Sequence, residues 1–139
     1  MLRLAAHGLC FVTLLDALSG CVAAPDDASA LGAGKPLNQR SSLGLVDATV
    51  TLEGGSLERG PHSFEVTLQA ADGDASPQLV SVDASMAAHG HRVSASVAPE
   101  GERYLIEDLN LFMSGRWQVT LGVELDTRSD VVEFALDVP

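Results

Sequence analysis

The stretch Arg116-Trp117-Gln118-Val119-Thr120-Leu121-Gly122-Val123-Glu124-Leu125 decides the fold class. Its apolar residues occupy every second position, and the residues between them are polar or small. A period of two puts one set on each face of a strand, whereas an amphipathic helix needs apolar residues three and four apart. The same period recurs outward in both directions. Toward the carboxyl terminus, Val132, Phe134, Leu136 and Val138 alternate with Glu133, Ala135 and Asp137. Toward the amino terminus, four runs each put one apolar face forward: Ala48, Val50 and Leu52; Phe64, Val66, Leu68 and Ala70; Val80, Val82, Ala84 and Met86; His91, Val93, Ala95 and Val97. Turn-forming residues separate them, including Gly54-Gly55, Asp72-Gly73-Asp74 and Pro99-Glu100-Gly101.

One run changes phase. Tyr104 and Ile106 share a face, but Leu109 and Leu111 fall on the other, so a bulge or a corner is expected at Glu107-Asp108. The pattern predicts an all-β domain over residues 45–139, an immunoglobulin-like antiparallel β-sandwich of about seven strands. No helix of normal length is expected in it.

The chain has 139 residues and a net charge of −11, from 8 Lys and Arg against 19 Asp and Glu. Such a charge repels a phosphate backbone, which argues against a nucleic-acid binder. Aromatic residues make up only 4% of the chain, too few for a base-stacking platform. Enzyme readings fail on inventory, since neither a Gly-x-Ser-x-Gly elbow nor a phosphate-cradling glycine loop is present. The carboxylates are spread along strands and turns, and Glu107 and Asp108, as neighbours on a strand, would point to opposite faces.

The first twenty residues hold Arg3, a mostly apolar stretch from Leu9 to Leu18, and then small residues. That is the layout of a secretory signal, and the apolar run is too short to span a bilayer. Leu18-Ser19-Gly20-Cys21 resembles the lipobox of bacterial lipoproteins, in which the cysteine is acylated and becomes the first mature residue. Asp16 lies inside the apolar run. The resemblance implies a signal peptide over 1–20, a lipidated Cys21, and a membrane anchor in the bacterial envelope. Val22, which is not Asp, implies the outer membrane, with the domain facing the periplasm. Loss of Cys10 with the signal would leave Cys21 as the one cysteine, so no disulfide could form within the chain. Residues 21–44, rich in Ala, Gly, Ser, Pro and Asp, read as the lipidated cysteine and a flexible tether.

The residues most suited to chemistry are Met86-Ala87-Ala88-His89-Gly90-His91. Two imidazoles and a thioether within six residues make a soft ligand set for copper, with sulfur favouring Cu(I). Gly90 frees the turn to bring both rings round one ion. Met113, in the turn Met113-Ser114-Gly115, is a further soft donor. Loops of alternate strands gather at one end of a sandwich, which would make the two segments neighbours. The competing account is packing: Met86 and His91 both fall on apolar strand faces and would fill the core there. Asp72-Gly73-Asp74 reads as turn chemistry rather than a calcium loop.

Three motifs in order, Met86-Ala-Ala-His89-Gly-His91, Gly101-Glu-Arg-Tyr104 and Met113-Ser-Gly115-Arg-Trp117, resemble those of the YtkA-like domain family, which is related to FixH-like proteins. The resemblance spans about residues 60–139. Ala87 stands where the family frequently has proline, and Arg92 where it usually has glycine. The resemblance implies a small, often anchored envelope domain with an immunoglobulin-like or CopC-like sandwich. It also implies a link to copper handling or oxidase assembly, and it does not imply catalysis. Two functions are therefore expected as alternatives. One is a lipid-anchored binding module that carries or buffers copper, preferably Cu(I), through Met86, His89, His91 and Met113. The other is a non-catalytic structural or protein-interaction domain with no metal and a protein partner in the envelope.

Overall fold

In the computed structural model, which describes Leu31 and residues 35–139, the alternating decapeptide lies within one long strand. The signal peptide, Cys21 and most of the stretch read as a tether lie outside the described residues. Among the described residues nine strands follow in order: β1 (Leu37–Arg40), β2 (Val46–Leu52), β3 (Gly60–Ala70), β4 (Gln78–Met86), β5 (His91–Ser94), β6 (Ser96–Glu100), β7 (Arg103–Leu111), β8 (Gly115–Leu125) and β9 (Arg128–Val138). They form two antiparallel sheets, one ordered β1-β2-β3-β7-β6 and the other β5-β4-β8-β9. The fold is thus all-β, consistent with a β-sandwich, as the period of two implies.

The core lies between the sheets and is built from the inward phase of each strand. Trp117, Val119, Leu121, Val123 and Leu125 of β8 are all buried, as are Val132, Phe134, Leu136 and Val138 of β9. From the other sheet come Val46, Ala48, Val50 and Leu52 of β2, with Phe64 and Val66 of β3. Each large apolar side chain removed from water contributes about 1.5–3 kcal/mol, so this face-to-face layer dominates stability.

Three departures from the sequence reading each have a local cause. The strands number nine rather than seven. One of the extra strands is β1, which pairs with β2 through Leu37↔Val50 to Arg40↔Asp47 and buries Leu37 at 4% exposure. Four residues inside a polar, glycine-rich stretch are too short to show a period, and the sandwich begins earlier in the chain than the alternation places it. The second extra strand comes from the run His91 to Val97, which divides at Ala95. There the chain leaves one sheet for the other, and Ala95 N–H donates to Val82 O at 3.1 Å.

Val80, expected on the inward face with Val82, is instead 50% exposed, and Leu79 is buried in its place. A register shift between Leu79 and Ser81 opposite Val123 and Gly122 turns the phase by one residue. The phase change in β7 resolves as a bulge, not a corner. His62 faces Leu109 and Phe64 faces Ile106, so Ser63 opposes both Glu107 and Asp108. Asp108 takes the left-handed backbone angle φ 57°, and Leu109 and Leu111 return to the core.

At the start of β9, Asp130 is a buried carboxylate, 6% exposed. It accepts hydrogen bonds from the backbone N–H groups of Leu43 (3.0 Å), Leu45 (3.4 Å) and Val131 (2.8 Å), pinning the β1–β2 turn to β9. Burial pushes its pKa up, but hydrogen bonds from Ser41, Leu43, Val131 and Leu45 outweigh this and hold it below the usual 3.8.

Candidate functional site

The hairpin joining β4 to β5 places the sequence-predicted residues by simple strand rules. Met86 ends the inward phase of β4 and is buried at 2% exposure. Four residues, Ala87 to Gly90, make the turn, in which His89 N–H donates to Met86 O at 3.2 Å. Gly90, at φ 66°, supplies the left-handed step that lets the chain return. Met86 and His91 are then direct partners across the two strands. Residues opposed in an antiparallel pair project to the same face, so the imidazole of His91 and the thioether of Met86 share the core-facing side at its open end. His91 is half-buried there, and His89 stands exposed on the turn. The two rings lie 6.2 Å apart, inclined by 30°.

The second segment meets the first from the adjacent β7–β8 connection. Phe112, 43% exposed, packs T-shaped with His91 and with Trp117, at ring-centroid distances of 5.2 Å and 5.5 Å. Trp117 is completely buried, and its Nε1–H donates to Met113 O at 3.0 Å, tying the turn to the core. Met113 itself is partly buried against the core. Gly115, at φ 123°, underlies Met86, and a Cβ there would stand 3.3 Å from Met86 Cε. The expectation that the two segments become neighbours is met, through the His91–Phe112 and Met86–Gly115 contacts.

The packing account also finds support, because Met86 fills the core above Gly115. His91 does not behave as a core histidine held by a backbone carbonyl. Among the described residues no protein group hydrogen-bonds to the ring nitrogens of His89 or His91, while His62 turns its Nε2 to the Glu58 carbonyl. Among the described residues no buried side-chain nitrogen or oxygen lacks a partner, so the nitrogens of His91 reach solvent. No group of three His, Cys, Asp or Glu side chains among the described residues could hold a metal ion.

Sequence reading placed Gly115 in the turn after Met113 but missed Phe112 as part of this end. The only signal was the adjacent pair Leu111-Phe112, two large apolar residues where alternation allows one inward position. Comparison with known proteins finds no matching family model, no similar curated protein and no similar solved structure.

Proposed function

We propose that this protein is a lipid-anchored binding module of the bacterial envelope that carries or buffers copper, Cu(I) by preference, at the end formed by Met86, His89, His91 and Met113. The observation that carries the reading is the cross-strand pairing of Met86 with His91. It puts the Met86 and His91 side chains on one face, among the described residues no protein group bonds to that imidazole, and Phe112 packs on it immediately before Met113. Thioether and imidazole together suit Cu(I), and the partly apolar surround disfavours hard, strongly hydrated cations.

Metal–imidazole bonds of about 2.0–2.1 Å keep two rings on one ion within about 6 Å, centre to centre. The 6.2 Å spacing of His89 and His91 lies at that limit, and the exposed His89 has room to close it. The lipobox-like Leu18-Ser19-Gly20-Cys21 supports anchoring, and the YtkA-like motifs support the copper role.

The test is a Cu(I) competition titration against a chromophoric chelator, using the chain with Cys10→Ser and Cys21→Ser and the same chain carrying Met86→Ala, His89→Ala and His91→Ala. Circular dichroism checks that both are folded. One equivalent bound by the parent and lost in the triple variant is the expected result. Absence of binding by the folded parent would overturn the copper role and leave a non-catalytic interaction domain without metal.

A further inference from the structure

An imidazole with no hydrogen-bond partner has nothing but packing to fix its ring. For His91 that packing is aromatic. Its ring lies T-shaped to Phe112 at 5.2 Å, and Phe112 lies T-shaped to Trp117 at 5.5 Å, between ring centroids. Trp117 is completely buried, and its Nε1–H donates to the carbonyl of Met113, the residue after Phe112. The Phe112 ring and the chain beside it are thus both held by one side chain of the core. Through Phe112 the half-buried His91 is tied to that core as well. His89 has no such support, being exposed, with His91 at 6.2 Å as its one ring neighbour among the described residues.

Phe112 also stands where its own burial would not put it. It is 43% exposed, while Leu111 before it is completely buried. A large ring left half in water gains little for itself, but it removes water from what it covers. Its two ring contacts are the sealed Trp117 and the half-buried His91, so its effect on solvent falls on His91.

The consequence for an ion rests on the copper reading given above. Cu(II) prefers tetragonal surroundings of nitrogen and oxygen, whereas Cu(I) accepts soft sulfur and imidazole. An apolar side chain against a ligating imidazole limits water and lowers the local dielectric, which costs a doubly charged ion more than a singly charged one. No group of three His, Cys, Asp or Glu among the described residues offers the hard donors that would offset this cost.

We infer that Phe112 is a positioning residue that acts through His91. It holds that imidazole against the core and shields it from water, and so sets the preference of the site for Cu(I) over Cu(II).

The test uses the full chain with Cys10→Ser and Cys21→Ser as parent, and the same chain carrying Phe112→Ala or Phe112→Leu. Circular dichroism checks that each is folded. Without metal, NMR of the parent should show the His91 ring resonances displaced by the ring currents of its aromatic neighbours. Phe112→Ala should bring them close to those of the exposed His89. Cu(I) and Cu(II) affinities are then measured separately by chelator competition without oxygen. Phe112→Ala should move their ratio at least tenfold toward Cu(II), and each tenfold lowers the potential of the bound copper by about 59 mV. Phe112→Leu keeps an apolar cover without a ring, so it should lose the ring-current displacement and retain most of the ratio. Two results would overturn this inference alone: His91 resonances unmoved by Phe112→Ala, or Cu(I) bound by the parent with an affinity ratio that Phe112→Ala leaves unchanged. A folded parent that binds no Cu(I) would instead overturn the copper role, and the inference with it.

Discussion

The two ends of β9 treat polar groups in opposite ways. At its start the Asp130 carboxylate is buried and receives three backbone N–H groups, so its acceptor capacity is committed to holding the β1–β2 turn. About 27 Å further along, at some 3.4 Å per residue, the other end of the sandwich carries His91 and His89, whose ring nitrogens no protein group engages among the described residues. Beside them Met86 and Trp117 fill the core. A polar group fully satisfied by its own chain stabilises the fold, whereas one left with free lone pairs at an apolar rim is available to a ligand. The difference gives the first end an architectural role, and the second is the end at which copper binding is proposed.

The largest change comes from removing the floor of the binding end. Trp117→Ala takes a fully buried ring from the core and the hydrogen bond that ties Met113 to it, and should lower stability by about 3–5 kcal/mol in denaturant unfolding. It should also weaken Cu(I) binding, since the segment bearing Phe112 and Met113 loses its anchor. Full Cu(I) affinity in a folded Trp117→Ala chain would separate the rim from the core beneath it.

Asp130→Ala tests the opposite end. Orphaned N–H groups at Leu43, Leu45 and Val131 should cost about 1–3 kcal/mol, with Cu(I) affinity unchanged. The pH dependence should change as well. In the native chain the folded carboxyl has its pKa below the ordinary 3.8, so the unfolded state binds more protons as acid is added. The stabilisation is present above that ordinary value and is lost as pH falls through the lower, folded one. Asp130→Ala should remove this component, which acid titrations of the two chains followed by circular dichroism would resolve.

Met86→Leu sharpens the contrast at smaller energetic cost. The volumes are similar, so stability should fall by less than about 1.5 kcal/mol. The thioether is gone, however, and Cu(I) affinity should drop at least tenfold in the chelator competition. Retained affinity would return Met86 to the role of core filler and leave the imidazoles alone as donors.

How much of this was legible depended on the length of each pattern. β8 and β9 are long and half-buried, so Trp117 to Leu125 and Val132 to Val138 announced their inward faces without ambiguity. β1 could not be read, because Leu37 and the buried Ser41 sit among glycine, serine and proline, and pairing with β2 rather than local preference makes them a strand. The bulge at Leu79–Ser81 was hidden, since Leu79 and Val80 are both apolar and either could lead inward. At the end proposed for binding, residue types and spacing singled out Met86, His89, His91 and Met113, whereas the packing of Phe112 on His91 and of Gly115 under Met86 arises only through contacts between distant segments.

The smallest expected effect concerns the bulge that shapes that end. Without an extra residue in β7 the inward phase of Ile106 would continue to residues 108, 110 and 112, turning Phe112 into the core. With Asp108 in the left-handed region, Leu109 and Leu111 go inward and Phe112 emerges beside His91. Asp tolerates this backbone angle better than most residues, and glycine adopts it freely but loses more entropy on folding. The two terms nearly cancel, so Asp108→Gly should change stability by only about 0.5 kcal/mol and leave Cu(I) affinity intact. Asp108→Val, branched at Cβ, should cost about 1–2 kcal/mol at the same position. If glycine proves as damaging as valine in thermal unfolding, the Asp108 side chain rather than its backbone angle holds the bulge, and the orientation of Phe112 against His91 rests on that carboxylate.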